Sequence, residues 1–342
     1  MRAEFLSVGH PAWPAFLARV PHDFYHLPAY VDLCALREGG EGRAFLVEDD
    51  RGGLLVPLVV RPVPGGGWSD GASPYGYPAP LLDGPADSAR WQALLGAFAE
   101  AARGAGLVSA FLRLHPLLPL PPVDWSPFGQ RVDHGETIYV DLTLPLAEQD
   151  RQTRANHRTG ARRLLAAGYR VEVDGWDRLE AFTRIYLATM AQRGADPGYR
   201  FGLDYFQELH LRLGGRIHLA MVLDQDGREA AGGLFSRVEG LMQFHLAGTD
   251  PDHRHLGPAK LMILHMRDWG REAGARRLHL GGGVGCADDS LALFKRGFSA
   301  LRAPFATVRL VFLPEVYRDL AGAADTGDGF FPAYRKDPGP HV

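Results

Sequence analysis

The chain has 342 residues, room for two domains of ordinary size that each bury their own core. Its 46% hydrophobic and 23% charged residues exclude a disordered or fibrous chain, and a net charge of −3 gives no global pull toward nucleic acid or membrane. Cys34 and Cys286 are the only cysteines, so neither a disulfide framework nor a cysteine-built zinc site is expected.

Residues 1–10 hold no apolar run of signal-peptide length and no later run is long enough to span a bilayer, so a cytoplasmic protein is expected. Residues 1–40 read as an opening segment, with Trp13, Phe16 and Leu17 at helical spacing before the aromatic tract Phe24–Leu33. Arg43–Val60 reads as two strands joined by the turn Asp50–Gly53, and Trp68–Leu82, rich in Gly, Pro and Tyr, as a shaped loop or a short irregular strand carrying Tyr75 and Tyr77. A helix over 86–103 sets Trp91, Leu94, Leu95 and Phe98 on one face. Strands follow at Ser109–Pro116 and Glu136–Leu142, with a proline-rich loop at Pro116–Pro122 between them.

Arg151, Arg154, Arg158 and Arg162 step by 3, 4 and 4, which predicts four guanidiniums on one helical face with His157 and Arg163 beside it. A solvated basic face and a polyanion site are both open readings of that stripe. Helices are expected at Trp176–Gly194 and Leu203–Leu213. A hairpin follows, His218–Leu223 with Ala230–Arg237, then the strand Leu241–Gly248. Ala306–Pro314 reads as a last strand, with a loose Gly/Asp-rich segment after Tyr317.

An internal repeat is present. Gly42-Arg43 opening one hairpin is echoed by Gly215-Arg216 opening another, and Arg103–Gly106 leading into a strand is echoed by Arg271–Gly274. Near-equal offsets and a common order of elements imply two copies of one α/β unit.

The best-specified stretch runs from His245 to Phe298. Gly257 permits backbone angles closed to other residues and Pro258 suits the first turn of a helix, whose stripe is Met262, Met266, Trp269 and Ala273. A glycine turn feeding a helix N-terminus suits phosphate, which makes Arg254, Gly257 and Ala259 cofactor-binding candidates. Gly282 and Gly283, in the loop Gly281–Gly285, either admit a ligand close to the backbone or simply make a turn. Lys295, flanked by Leu293, Phe294 and Phe298, is the best candidate for a charge acting in a partly dry site. His245, His279, Asp288 and Asp289 lie nearby in sequence without identifying a general base. No His-Glu-x-x-His or comparable ligand spacing occurs, so no metal is expected.

Arg254-His-Leu-Gly257-Pro-Ala259 resembles the Arg/Gln-x-x-Gly-x-Gly/Ala signature of the GNAT acyltransferases, in which that loop holds a cofactor pyrophosphate. Phe294-Lys295 followed by Phe298 matches a Phe-Lys-x-x-Phe motif. With His245–Ala259 and Leu280–Gly283 it resembles the Fem-type branch of that superfamily, which includes aminoacyltransferases that build peptidoglycan bridges. The tract 161–168 resembles the second half of a basic helix in those relatives.

The resemblance implies an α/β (α+β) chain of tandem GNAT-like domains, each a mixed, mainly antiparallel sheet flanked by helices. The expected division is 1–145, 146–318 with the acyl-donor site, and a tail at 319–342. The implied activity is transfer of an acyl or aminoacyl group to a primary amine, with peptidoglycan bridge formation as one assignment. An acyl-CoA-dependent N-acetyltransferase and a non-catalytic module for a nucleotide-sugar or lipid-linked precursor are the alternatives. No tightly bound cofactor is implied; the donor is aminoacyl-tRNA or acetyl-CoA. Partners would be a small-molecule or peptidoglycan-precursor amine, tRNA, and the membrane periphery through a lipid-linked substrate.

Residue by residue, Lys295 and Phe294 would stand at the reacting end of the donor. Tyr75 and Tyr77 would line the cleft, and Arg154, Arg158 and Arg162 would meet a substrate anion. The chain departs from the family in lacking its helical coiled-coil insertion. It also has Asp32, Cys34 and Arg37, rather than a lysine, in the early helix that helps hold the acceptor's phosphates.

Overall fold

The computed structural model describes residues 1–85, 87–118, 120–322 and 330–336. Residue 86, where a helix was expected to begin, Pro119 of the proline-rich loop and most of the expected tail therefore lie outside the described residues. The chain divides into two units, 1–134 together with 305–342, and 135–304.

In the first unit the hydrophobic alternation and glycine turns of the sequence give a meander. Strand β1 (Arg2–Ser7) pairs antiparallel with β2 (Glu41–Asp49), and β2 with β3 (Gly52–Pro62). Strand β3 then takes β4 (Ser69–Ala72) along one part and β5 (Leu81–Asp83) along another, both antiparallel. The β2–β3 turn needs glycine at 52: φ is 128° there, and a Cβ would stand 2.4 Å from the Asp83 carbonyl oxygen. Helix α1 (Ala12–Leu17) buries Trp13 and Phe16. Helix α2 (Pro28–Glu38) starts on Pro28 and stops at Gly39, whose left-handed φ of 64° ends it.

Helix α3 (Ser88–Gly104) is capped by the Asp87 side chain, which accepts from the Ala89 N–H at 3.0 Å. Its face Trp91, Leu94, Leu95 and Phe98 is no more than 2% exposed and packs with Phe45, Val56, Leu58 and Leu112 of the sheet. Each such fully buried Leu or Phe contributes roughly 1.5–3 kcal/mol over leaving it in water. Strand β6 (Leu107–Arg113) then runs parallel to β4.

A buried polar knot ties the opening segment down. Asp23 accepts the Phe24 N–H at 2.6 Å and a proton from His115 Nε2 at 2.9 Å. His115 Nδ1 accepts the N–H groups of Leu117 and Leu118, which fixes its tautomer. His26 Nδ1 accepts the Asp23 N–H at 3.0 Å, so its Nε2 donates to the Ala79 carbonyl at 3.1 Å.

Burial, followed by the repulsion of His115, holds the His26 pKa at about 3 against an ordinary 6.5. Between those values the unfolded chain carries a proton that the folded chain lacks. Stability is therefore expected to fall as the pH drops from 6.5 toward 3, by at most ~1.4 kcal/mol per pH unit from this group. Urea unfolding across that window checks this: the midpoint of the parent should fall, and that of His26→Asn should fall less steeply.

Strand β7 (Gly129–Asp141) enters the second unit at Gly135. Helices α4 (Leu146–Gln152) and α5 (Ala155–Ala166) follow, then β8 (Arg170–Val173), α6 (Leu179–Gln192) and α7 (Leu203–Leu213). Strands β9 (Ile217–Leu223), β10 (Glu229–Val238) and β11 (Leu241–Thr249) form an antiparallel meander. Helix α8 (Ala259–Glu272) then leads to β12 (Arg277–Gly281), parallel to β11 and antiparallel to β7. The strand order in this unit is β7-β12-β11-β10-β9-β8. Helix α9 (Ser290–Lys295), strand β13 (Arg302–Val311) and helix α10 (Pro314–Ala321) complete the chain, and β13 pairs antiparallel with β6 over Thr307–Val311 in the first unit.

Each unit thus repeats helix, three antiparallel strands, helix, parallel strand. Both sequence echoes fall at comparable places, Gly42-Arg43 at the start of β2 and Gly215-Arg216 just ahead of β9, Gly106 and Gly274 ahead of β6 and β12. The architecture is the tandem α/β arrangement expected. Several local readings change. Residues 1–40 contain the edge strand β1. The last strand begins at Arg302, not Ala306, and Pro314 opens α10, where a missing N–H costs nothing. Within the tail, Tyr334 bonds the Ser109 hydroxyl at 2.8 Å and Arg335 pairs with buried Asp70, so 330–336 are tied to the first unit.

Candidate active site

The parallel pairing of β11 and β12 covers only Leu241–Gln243 against Arg277–His279. Beyond it, Leu234 pairs with Leu246 but Phe235 with Phe244, leaving His245 as an extra residue that bends β11. Two loops then leave the C-terminal ends of this pair.

The first carries the phosphate-loop candidates. Asp250 caps a short turn, Pro251–Leu256, by accepting the Asp252 N–H at 3.0 Å, and exposed Arg254 sits in that turn. Gly257 has φ of 67°, and α8 starts two residues later at Ala259. The chain therefore presents first-turn N–H groups and the positive end of a fourteen-residue helix. Lys260 stands beside this loop, its stem 3.6 Å from where a Cβ on Gly160 of α5 would lie. Sequence reading missed it. One signal was available, since Lys260, Lys295 and Lys336 are the only lysines in a chain that otherwise uses arginine.

The second loop carries Lys295. Asp289 caps α9 by accepting the Ala292 N–H at 2.8 Å and the Val284 N–H at 2.9 Å, so its carboxylate is spent on structure. Gly283 is small because a Cβ there would stand 2.2 Å from the Ala287 carbonyl oxygen; at Gly282 it would come 2.9 Å from Cys286 Sγ. Lys295 Nζ donates to the Gly282 carbonyl at 2.6 Å. Burial, with some repulsion from Arg193, pulls its pKa from 10.5 to about 8, against the opposing pull of Cys286 and Asp289. An ammonium at this value is charged at neutral pH and releases its proton just above it.

Phe294 and Phe298 flank the lysine with ring centroids 5.2 Å apart, and His157 of α5 lies 4.6 Å from Phe298. The Arg154 N–H donates to the Gly297 carbonyl at 2.8 Å and the Thr153 hydroxyl to that of Phe298 at 3.1 Å. The start of α5 therefore clasps the turn that follows Lys295. His157 is held neutral, its pKa lowered to about 4 by burial and then by the charges of Lys260 and Arg154.

The arginine stripe is not one helix. Thr153 is extended (φ −78°, ψ 126°), and there the Thr153 hydroxyl and the Arg154 N–H turn to the Phe298 and Gly297 carbonyls, which breaks the run into α4 and α5. Arg151 lies on α4 and pairs with Glu148. Arg158 donates to the Asp150 and Thr153 carbonyls and so braces the break. Exposed Arg154 reaches the Leu293 carbonyl at 3.4 Å, and Arg162 is exposed on α5. Helix α5 packs on α8, Ala161 and Leu164 sharing a core with Leu261 and Met262. Two anion-binding candidates that are separate in sequence thus become neighbours.

Tyr75 and Tyr77 belong to the first unit. The Tyr75 carbonyl accepts the Tyr30 hydroxyl at 2.8 Å, while Tyr77 packs on Tyr25, His115 and Phe305. His279 Nδ1 bonds Gln243 Oε1 at 2.7 Å in the core, a structural use for one base candidate. Among the described residues no group of His, Cys, Asp and Glu is arranged to hold a metal, and no helix is long and apolar enough to cross a membrane.

The second unit thus has parting parallel strands, with a helix N-terminus after the first and a lysine-bearing loop after the second. Residues 151–289, which lie within the second unit, match the family described as Acetyltransferase (GNAT) domain. In fold the chain is similar to FemX, with a TM-score of 0.71 and 14% identity over 93% of this chain and 99% of that one. It is also similar to L-PGS from Bacillus licheniformis (TM-score 0.56, 18% identity, 87% and 91% covered). A conserved protein of unknown function from Bacteroides thetaiotaomicron is a third (TM-score 0.58, 11% identity, 90% and 100% covered). No curated protein matches the chain.

Proposed function

We propose that this protein is an N-acyltransferase of the cytoplasm in which α8 holds the phosphates of an acyl donor and Lys295 serves its reacting end. The observation that carries the reading is that the Gly257 loop and the Lys295 loop both leave the C-terminal ends of one parting parallel pair. In the transfer, a neutral primary amine attacks the acyl carbon, the carbonyl oxygen takes up negative charge, and the leaving group departs with a proton. The Lys295 ammonium supplies positive charge to that oxygen or to the leaving atom in a site partly closed to water. Arg254 and Lys260, with the first-turn N–H groups of α8, suit the pyrophosphate of acyl-CoA.

A second reading, transfer from aminoacyl-tRNA onto a soluble or lipid-linked peptidoglycan precursor, is favoured by one observation. The basic surface of α5 adjoins the phosphate loop and lengthens the track available to a polyanion. Calorimetric titration separates the two. Saturable binding of acetyl-CoA, weakened about tenfold or more in Arg254→Ala, is the expected result. Absence of that binding, with a UDP-linked muramyl peptide bound instead and lost in Arg162→Ala, would transfer the protein to the second reading.

A further inference from the structure

One face of the first unit's sheet carries side chains in register. Ala72 of β4 pairs with Phe111 of β6, and Phe111 with Arg309 of β13. Arg113 follows on the same face of β6, two residues along. With Arg61 of β3, His134 of β7 and Phe331 these residues line a cavity of about 360 Å³.

The charge in this cavity is unbalanced. Arg61 is answered twice, by Glu38 at 3.1 Å and by buried Asp70 at 3.0 Å. Arg113 donates to the Ser73 backbone carbonyl at 2.9 Å and lies 5.1 Å from the centre of the Phe111 ring. Arg309 has its Nε buried without a hydrogen-bond partner. Among the described residues neither of these two guanidiniums pairs with a carboxylate. His134 donates or accepts at Thr307 Oγ1 over 2.7 Å, and its pKa is lowered by burial and then by Arg309. Partly buried cations without counter-charge are costly to hold, and the planar fork of arginine matches an oxyanion. The Phe111 and Phe331 walls match something flat and apolar.

We propose that the first unit holds a binding site of its own for an organic oxyanion with a flat apolar body. The oxyanion lies at Arg113 and Arg309, and the body lies against Phe111 and Phe331. Carboxylate and phosphate share this chemistry. The site does not rest on the acyl-transfer reading.

Calorimetric titration of the full chain with benzoate, phenyl phosphate and inorganic phosphate tests it. Saturable binding of benzoate or phenyl phosphate at millimolar concentration or below is expected, the tighter of the two assigning the head group. Arg309→Met should weaken it about tenfold or more, the loss that follows removal of a charge-assisted hydrogen bond. Arg309→Lys, which keeps the charge and loses the fork, should weaken it with an unchanged melting temperature. Lys295→Met should leave it unaltered, which separates this site from the donor site. Absence of saturable binding by both aromatic acids would overturn the proposal, as would affinity indifferent to Arg309→Met, Arg309→Lys and Arg113→Met. Inorganic phosphate binding as tightly as phenyl phosphate would overturn its apolar half.

Discussion

Lys295→Met is expected to reduce turnover about 10²–10³-fold while leaving donor affinity within a few-fold of the parent. The phosphates of the donor are assigned to α8, so removing the lysine leaves the main binding contacts in place. What is lost is positive charge where negative charge develops. The pH dependence sharpens the test. A Lys295 pKa of about 8 means that turnover should fall as the pH rises through that value, because the charged form is the active one. Lys295→Arg keeps a cation at all accessible pH and should abolish this limb while restoring only part of the rate, since a guanidinium cannot take the same position against the Gly282 carbonyl. Steady-state rates of the three proteins over pH, with acetyl-CoA and a primary amine, read all of this.

Gly297→Ala should be a strongly damaging small substitution in the second unit. A Cβ at 297 would stand 2.0 Å from His157 Cε1 and 2.5 Å from Nδ1, inside any tolerable contact. The His157 ring is boxed in by Phe294 and Phe298, so it has little room to give way. Overpacking of this kind costs roughly 1–3 kcal/mol, and it would push apart the clasp that sets Lys295. The check is a double-mutant cycle in urea. His157→Ala alone destabilises by leaving a hole, yet combined with Gly297→Ala it should recover most of the loss, a coupling of roughly 1 kcal/mol or more. Additive effects would show that the two residues do not meet.

The residues that could be read in the sequence are those whose signals are local. Gly257, Pro258 and the stripe of Met262 and Met266 announce a glycine turn and an amphipathic helix within a dozen positions, and α8 has that form. The repeat was legible because glycine ends helices in both copies at comparable points. Lys295 was legible from its apolar flanks, though the carbonyl of Gly282 that receives it was not.

What was not legible depends on contacts distant in sequence. The arginine spacing from 151 to 162 fits one helix, and only the bonds of Thr153 and Arg154 to the Phe298 and Gly297 carbonyls show why the helix breaks there. Lys260 joins α5 to the Gly257 loop by packing against Gly160, which no local pattern encodes. The cavity of the first unit draws on β3, β6, β7 and β13, and its arginines look like unrelated surface residues until the sheet sets them in register. Strand β1 is short and mostly exposed, so its alternation was too weak to distinguish it from a loop.

The most direct test of Lys295 as the partly dried cation of an acyl-donor site is its own titration. The chain has three lysines, so ¹³C- and ¹⁵N-labelled lysine gives few side-chain signals, and comparison with Lys295→Met identifies the one required. A side-chain amine titrating at about 8, and shifting when acetyl-CoA is added, is the expected result. A Lys295 signal that titrates at the ordinary 10.5 and ignores acetyl-CoA would contradict it.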